Sequence, residues 1–157
     1  DTTSVDIEAR PPAGSTAYIF KAAGSVPHFL GFLVLYSEGK DETNGDDVVL
    51  REGDRVNINF RKGDAKIQML VRDIQNKRMQ PFYTTIEPGG GSEGSYSHIG
   101  EEFGIVLRGV LEIQLQGRSH RVKKNESFYF SSREPHSWSN PGRTKTEVIW
   151  VVSPPTF

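Results

Sequence analysis

From Val48 onward the chain alternates apolar and polar residues with a period of two, and short turns rich in Gly, Asp, Asn and Pro interrupt this alternation. Such a pattern is typical of antiparallel strands that bury one face and expose the other. The strand candidates are residues 56–60, 67–71, 81–86, 103–107, 111–115, 127–130 and 147–152. No segment shows the periodicity of an amphipathic helix. The pattern therefore predicts an all-β fold, and a single jelly-roll β-barrel of antiparallel strands fits it best.

The first 47 residues do not share this pattern, and we expect an N-terminal extension or linker at 1–47 followed by a β-barrel domain at 48–157. Within the extension, the apolar run 29–36 suits a buried strand, although a short buried helix has the same pattern. We expect this run to add a strand to the barrel of its own chain or of a second copy, because exposed edge strands are commonly covered in dimers. A homodimer is therefore expected.

Composition excludes several classes of partner. The 19 basic and 20 acidic residues nearly cancel, and no long basic run is present, so we expect no direct nucleic-acid binding by this chain. The longest apolar run, 29–36, is far shorter than the roughly 20 residues of a membrane span, so we expect no membrane partner and a cytoplasmic location. The chain has no cysteine, which leaves His, carboxylates, backbone and water to build any metal site. It begins at Asp1 rather than Met, and we expect a segment to precede it.

Two short segments, 96–102 and 135–140, together offer two imidazoles and a carboxylate. Two His nitrogens and one carboxylate oxygen bind iron(II), manganese or nickel and leave coordination positions open. In an extended strand His98 and Glu102 point to the same side, provided that the chain does not turn sharply between them, whereas Glu101 points to the other side. A small barrel could bring His136 opposite them, because its inward side chains converge. A metal site is the first hypothesis.

The spacing of these residues resembles that of the cupins. The first cupin motif is matched by Gly90, His98, Glu102 and Gly109, and the end of the second motif by His136 with Asn140 four residues later. The resemblance implies a cupin barrel in which His98, Glu102 and His136 bind one divalent metal ion, of the kind Fe, Mn, Ni or Zn. The alternative is a cupin without metal, in which the two histidines hydrogen-bond through Glu102 or through water.

Four positions depart from the cupin pattern. Tyr96 stands where the family usually has its first His, Asn125 replaces the opening Gly of the second motif, and Ser131 and Arg133 replace its Pro and Gly. A phenol is a poor ligand for a divalent metal unless it is ionised, and its unperturbed pKa is about 10. We therefore interpret Tyr96 as a neighbour of the metal and not as a ligand.

Further side chains are candidates for the pocket around the metal. Strand parity groups Phe128 with Phe130, and His136 with Trp138. Aromatic surfaces of this kind line small-molecule cavities. The candidates that line the pocket are Tyr96, Tyr83, Phe128, Phe130 and Trp138, and the candidates that orient a ligand are Arg108 and Arg133.

At a finer level, residues 100–109, 127–130, 140–142 and 154–157 resemble the C-terminal cupin sensor domain of bacterial regulators that begin with a helix-turn-helix. This resemblance implies a metal-binding domain that senses a small-molecule effector for a transcriptional regulator. Residues 1–47 contain no recognisable DNA-binding helix. Either a DNA-binding segment precedes Asp1, or the chain is a stand-alone relative.

Two other functions stay open. A mononuclear non-haem metal enzyme, such as an iron-dependent oxygenase or epoxidase, would use the coordination positions that two His and one Glu leave free. A metal-free sugar epimerase would need a His and Tyr acid–base pair, which Tyr96 and His98 imitate only weakly. The sequence favours the sensor over an enzyme.

Overall fold

The computed structural model describes residues 15–19, 34–38, 48–59, 64–92 and 94–156. Across these ranges the regular structure is strand, apart from one 3₁₀ turn at Glu52–Asp54, so the all-β prediction is confirmed. No helix in the described ranges has the length and apolar character needed to cross a bilayer. The strands are β1 Ser15–Ile19, β2 Val34–Glu38, β3 Asn57–Asn59, β4 Ala65–Met69, β5 Gln80–Ile86, β6 Glu101–Arg108, β7 Val110–Leu115, β8 Arg118–Lys123, β9 Ser127–Ser131, β10 His136–Ser139 and β11 Thr146–Ser153.

Two antiparallel sheets form the domain. The larger has six strands in the order β3-β4-β5-β11-β6-β9, and the smaller has three in the order β10-β7-β8. Both contribute apolar side chains to one core, for example Val106 and Val148 from the larger sheet and Leu111 and Ile113 from the smaller. Burial of such side chains is the main favourable contribution to folding. The prediction of a single antiparallel jelly-roll domain is confirmed.

The central strand β11 shows how the chain assigns side chains to the two faces of the larger sheet. It lies between β5 and β6, and its burial alternates strictly, with Val148, Trp150 and Val152 buried and the residues between them only partly buried. The uninterrupted apolar run 148–152 predicts a strand that is buried on both faces, and this prediction is wrong because the outer face of the sheet remains partly open. Inward side chains of β6 and β11 therefore share the core, and outward ones share the surface.

The turn before β9 contains one of the departures from the cupin pattern. Asn125 replaces a glycine there and has a φ of 68°. This is the left-handed region, which Asn tolerates better than most residues other than glycine. The turn is therefore compatible with the substitution, and β9 pairs regularly with β6.

In the N-terminal extension, β1 and β2 pair with each other as antiparallel strands. The predicted strand 29–36 overlaps β2 at 34–36, and residues 29–33 lie outside the described residues. The boundary at residue 48 and the role of the extension stay predictions.

Candidate metal centre

Three strand ends bring the predicted ligands together. Tyr96 and His136 exchange two backbone hydrogen bonds of 2.9 Å, which join the segment before β6 to the start of β10. The backbone N–H of His98 donates to the carbonyl of Ser132 at 2.8 Å, just after β9. Glu102 is the second residue of β6 and points into the core. Backbone pairing thus fixes the distance between the two histidines and the carboxylate.

Gly100 makes this approach possible. Its φ is 123°, a conformation that glycine adopts far more readily than other residues. The chain therefore does turn between His98 and Glu102, and their side chains still meet.

The ligand atoms of His98, Glu102 and His136 lie within 4.8 Å of one another. His98 Nε2 is 2.7 Å from Glu102 Oε1, and His136 Nε2 is 3.1 Å from the same oxygen. Glu102 and His136 are almost completely buried, with side-chain exposures of 2% and 0%, whereas His98 is 22% exposed. The cluster is therefore closed on the core side and reaches solvent past His98.

The outer partners of these side chains decide which atoms face the centre. His98 Nδ1 is 3.2 Å from the carbonyl of Ile99, and His136 Nδ1 is 2.8 Å from the carbonyl of Glu134. A carbonyl only accepts, so each Nδ1 carries a hydrogen, and each neutral ring turns the lone pair of Nε2 toward the centre. The indole N–H of Trp150 donates to Glu102 Oε2 at 2.6 Å, which leaves Oε1 for the centre.

This donor set suits a divalent cation. Two imidazole nitrogens and one carboxylate oxygen converge, each oriented by a second partner, as is typical of metal sites. Among the described residues, the buried Nε2 of His136 has no hydrogen-bond partner, because its 3.1 Å contact with Glu102 lacks hydrogen-bond geometry. A buried polar atom without a partner is costly. A metal ion at the centre would satisfy it.

Without metal, attraction between the Glu102 carboxylate and the two imidazoles holds the cluster together. Burial acts to raise the pKa of Glu102, but its contacts with His136 and His98 outweigh burial and lower the pKa to about 2. Burial acts to lower the pKa of His98, yet its hydrogen bonds to Glu102 and to the Ile99 carbonyl raise it overall. A proton on His98 thus takes part of the role that a metal ion would have.

Aromatic rings surround the cluster. The Tyr96 and Phe130 rings lie 4.3 and 4.9 Å from that of His136, measured between centroids, and the indole N–H of Trp138 donates to the Tyr96 hydroxyl at 2.9 Å. Burial, followed by the charge of Glu102, raises the pKa of Tyr96. The phenol is therefore neutral, which favours its interpretation as a neighbour of the metal.

Phe128 belongs to the same group of aromatic rings, and its position depends on a glycine. Its ring lies 4.8 Å from that of Trp150, and a Cβ on Gly104 would be 2.6 Å from its Cε1. Gly104 points inward on β6, two residues after Glu102. A side chain there would push the Phe128 ring away from Trp150, which orients the carboxylate.

The structure places the remaining candidates elsewhere. Tyr83 and Arg108 interact with Glu147 on the outer face of the larger sheet, at 2.8 and 3.6 Å. Arg133 is exposed in the turn before β10, and Glu101 is exposed on the outer side of β6. None of these four belongs to the cluster. The alternation of side chains along β6 is enough to distinguish Glu102 from Glu101 in the sequence. No short-range pattern shows on which face of the larger sheet Tyr83 lies.

Sequence reasoning missed Trp150 as the residue that orients Glu102. The two are 48 positions apart and meet because β11 and β6 pair side by side. A tryptophan in a strongly apolar strand reads as core, and no local signal shows that its indole N–H needs an acceptor.

The family model described as "Cupin domain" matches residues 82–152. The HTH-type transcriptional regulator PuuR of Escherichia coli (strain K12) is 24% identical over 110 residues, which cover 70% of this chain and 58% of PuuR. The chain thus corresponds to little more than half of that relative.

Two solved structures show the same fold. An RmlC-like cupin from Shewanella frigidimarina superposes with a TM-score of 0.57 at 17% identity, covering 69% of this chain and 91% of the other. The cupin domain of an XRE family transcriptional regulator from Enterobacter cloacae gives a TM-score of 0.53 at 18% identity, covering 59% and 99%.

Proposed function

We propose that this chain, whose residues 82–152 match the cupin domain model, binds one divalent metal ion and senses a small molecule for a transcriptional regulator. The resemblance to cupins, and among them to the cupin domains of regulators, is confirmed by the matching family model and relatives. The metal and the sensing role are the proposal.

One observation carries the metal assignment. Nε2 of His98, Nε2 of His136 and Oε1 of Glu102 converge, and a separate hydrogen-bond partner orients each of these side chains. The three residues would hold the ion, and the Trp150 indole would keep the carboxylate in place. The bound ion would supply a positive charge and open coordination positions for a ligand oxygen or nitrogen.

The regulatory assignment is supported by relatives whose names include transcriptional regulators. The chain spans 58% of PuuR, so DNA binding in a longer protein would belong to a segment outside the residues given. Such a protein would act in the cytoplasm as a homodimer, in which the sensed molecule biases the geometry of the DNA-binding parts.

A second candidate, a mononuclear metal oxygenase, is favoured by the same ligand set. Three protein ligands leave room for both a substrate and dioxygen. Oxygen consumption after anaerobic loading with iron(II) separates the two functions. Turnover of any member of a panel of small organic acids would favour the enzyme if His136→Ala abolishes it. Reversible binding of one of these acids without oxygen uptake would favour the sensor.

The metal itself is tested by elemental analysis of purified protein and by calorimetric titration with Mn²⁺, Ni²⁺ and Zn²⁺. We expect about one ion per chain, lost in His136→Ala and kept in Ser137→Ala, whose side chain lies on the opposite face of β10. A metal content near zero that persists after reconstitution would contradict the assignment.

The sensing role is tested with the longer protein. If the residues before Asp1 encode a helix-turn-helix, binding of that protein to its own upstream DNA should change when the metal-loaded cupin domain binds its effector. A gene that encodes no DNA-binding segment next to this domain would count against the regulator.

A further inference from the structure

Buried polar atoms without a partner gather at one end of the larger sheet. Within the described ranges, four buried side-chain nitrogen or oxygen atoms have no hydrogen-bond partner: Gln80 Nε2, Ser132 Oγ, His136 Nε2 and Arg55 Nε. The Arg55 guanidinium lies over the Tyr83 ring on the outer face. The other three atoms belong to residues that are at most 1% exposed. Unsatisfied buried polar groups are costly and rare in native proteins, so this group indicates a partner that is not part of the chain.

The strand register places Gln80 in the same row of inward side chains as Glu102. Gln80 begins β5 and is opposite Val152 of β11, and Val152 is opposite Glu102 of β6. All three side chains are buried on the inner face. Adjacent strands are about 4.8 Å apart, so the backbones of Gln80 and Glu102 are about 10 Å apart. Val152 has the smallest of the three side chains, and the space over it is bordered by an amide and a carboxylate.

Ser132 lies on the other side of the metal centre. Its backbone N–H donates to the Gly100 carbonyl at 3.0 Å, and its carbonyl accepts the His98 N–H at 2.8 Å. It follows Phe130 by two positions, and the Phe130 ring is 4.9 Å from that of His136. Both Phe130 and Ser132 are buried. Ser132 therefore continues the inward face of β9 beside the two imidazoles.

Buried polar side chains at the opposite end of the same inner face are satisfied by the chain. The Thr146 hydroxyl, at the start of β11, donates to the Val110 carbonyl at 2.8 Å and accepts the Val110 N–H at 3.2 Å. The Asn140 amide donates to two backbone carbonyls and accepts one backbone N–H. Unpaired atoms are therefore not a general property of this core, and they mark the end that holds the metal centre.

The unpaired amide selects one kind of ligand atom. Gln80 Oε1 accepts the Thr156 N–H at 3.4 Å, which assigns the unpaired position to the amide nitrogen. An amide nitrogen only donates, so it requires an acceptor. No Lys or Arg is among the buried residues that the structure describes, and a charged oxygen buried without a cation is costly. An uncharged oxygen, such as that of a ketone or an amide, therefore suits Gln80.

We propose that Gln80 and Ser132 bind the sensed molecule beside the metal centre. The ligand atom at the metal would hydrogen-bond to the Ser132 hydroxyl, and an uncharged oxygen farther along the ligand would accept from the Gln80 amide over Val152. This deepens the proposed sensing function and rests on it. It names a feature that the sensed molecule must have, an uncharged acceptor oxygen separated from its metal-binding group.

Calorimetric titration of Zn²⁺-loaded protein with three matched acids tests the proposal: 4-oxopentanoate, 4-methylpentanoate and 4-aminopentanoate. The probes share a carboxylate for the metal and differ at the fourth carbon, which carries a carbonyl oxygen, a methyl group or an ammonium group. We expect the oxo acid to bind about 5- to 100-fold more tightly than the methyl acid, the usual effect of leaving a buried donor unpaired. The amino acid should bind more weakly than the oxo acid, because its ammonium cannot accept.

Gln80→Met removes the amide at nearly the same volume. This variant should bind the oxo and methyl acids equally, within about twofold, and without acid it should unfold at the same urea concentration as the parent protein or a higher one, because an unpaired donor is gone. A purely structural Gln80 would lower that midpoint. Thr146→Val is the matched control: it deletes a buried hydroxyl that the chain satisfies, so it should lower the midpoint and keep the preference for the oxo acid.

Ser132→Ala should weaken the oxo and methyl acids by the same factor, about 2- to 10-fold, because its hydroxyl contacts the group that they share. Equal affinities for the two acids in the parent protein, no binding of any probe, or a preference for the oxo acid that survives in Gln80→Met would overturn the proposal. Metal uptake is measured first on every variant. Normal Zn²⁺ uptake without this preference would refute the ligand site alone, whereas the preference in protein that takes up no metal would support Gln80 and refute the metal centre.

Discussion

Two carboxylates on neighbouring strands of the larger sheet have opposite environments. Glu102 of β6 points inward, is 2% exposed, and contacts two imidazoles and the Trp150 indole. Glu147 of β11 points outward, is 26% exposed, accepts the Tyr83 hydroxyl at 2.8 Å, and lies 3.6 Å from the Arg108 guanidinium. Each carboxylate has several partners, but only Glu147 has a permanent cation and access to water.

The difference explains why one face of the sheet holds a candidate site and the other does not. The charge of Glu147 is balanced by Arg108 and screened by solvent, so no further cation is needed at the surface. Among the described residues, Glu102 has no Lys or Arg beside it, and a buried charge without a cation is costly. Its neighbours are imidazoles and an indole, which carry no permanent positive charge. A metal ion at this position would supply that charge.

The largest difference is expected between Glu102→Gln and Glu147→Gln. Loss of a partner that merely orients a ligand typically weakens metal binding 10–100-fold, so loss of the negative charge of the ligand itself should weaken it by more than about 100-fold. Glu147→Gln should leave the affinity for Mn²⁺ unchanged by calorimetry. Equal losses in both variants would remove the distinction between the two faces.

A smaller difference is expected when the neutral donor of each carboxylate is removed. Trp150→Phe deletes the indole N–H that holds Glu102 and should weaken Mn²⁺ binding roughly 10–100-fold. Tyr83→Phe deletes the hydroxyl that donates to Glu147 and should not change metal binding. If Trp150→Phe binds Mn²⁺ like the parent protein, the indole does not orient the carboxylate.

The pH dependence of stability should separate the two faces in metal-free protein. The pKa of Glu102 is lowered from 4.5 to about 2, so its stabilisation is complete above about pH 4.5 and is lost as the pH falls toward 2. Urea unfolding should show a loss of roughly 1–3 kcal/mol across this window from this group. The loss should persist in Glu147→Gln and disappear in Glu102→Gln.

His98 should make the protein less stable as the pH rises, which is opposite to the effect of Glu102. Its pKa is raised above 6.5, so its contribution is complete below 6.5 and is lost as the pH rises through the raised value. Bound metal would remove this dependence, because the metal takes the place of the proton. Unfolding curves that stay flat from pH 6 to 9 without metal would contradict the His98–Glu102 pair.

The smallest effect is expected for Arg108→Gln. The guanidinium is 60% exposed and 3.6 Å from Glu147, and exposed ion pairs contribute about 0–1 kcal/mol. We expect a change in unfolding free energy below about 1 kcal/mol and none in metal affinity. A clear loss of metal binding would show that the outer face acts on the cluster.

The sequence predicts best the parts of the fold in which burial alternates. The candidates 81–86, 103–107 and 147–152 all lie within observed strands, because each strand has one core face. β8 was missed because Val122 is its one buried residue and its other five residues are all polar. An edge strand of this kind carries no alternation to detect.

The candidate site divides in the same way. His98, Glu102 and His136 could be selected because ligand-type side chains at fixed spacing are visible within two short segments. Trp150 could not be selected, since its role depends on the pairing of β6 with β11. The faces of Tyr83 and Arg108 likewise depend on the register of the sheet, which a single sequence does not reveal.

The chain contains two tryptophans. Trp150 donates its indole N–H to Glu102 of the cluster, and Trp138 donates to Tyr96, which packs against the cluster. The tryptophan fluorescence of the protein therefore originates entirely from two rings at the site. A paramagnetic ion bound there should quench nearly all of this emission. The protein thus carries its own optical reporter of occupancy, which needs neither a label nor a mutation.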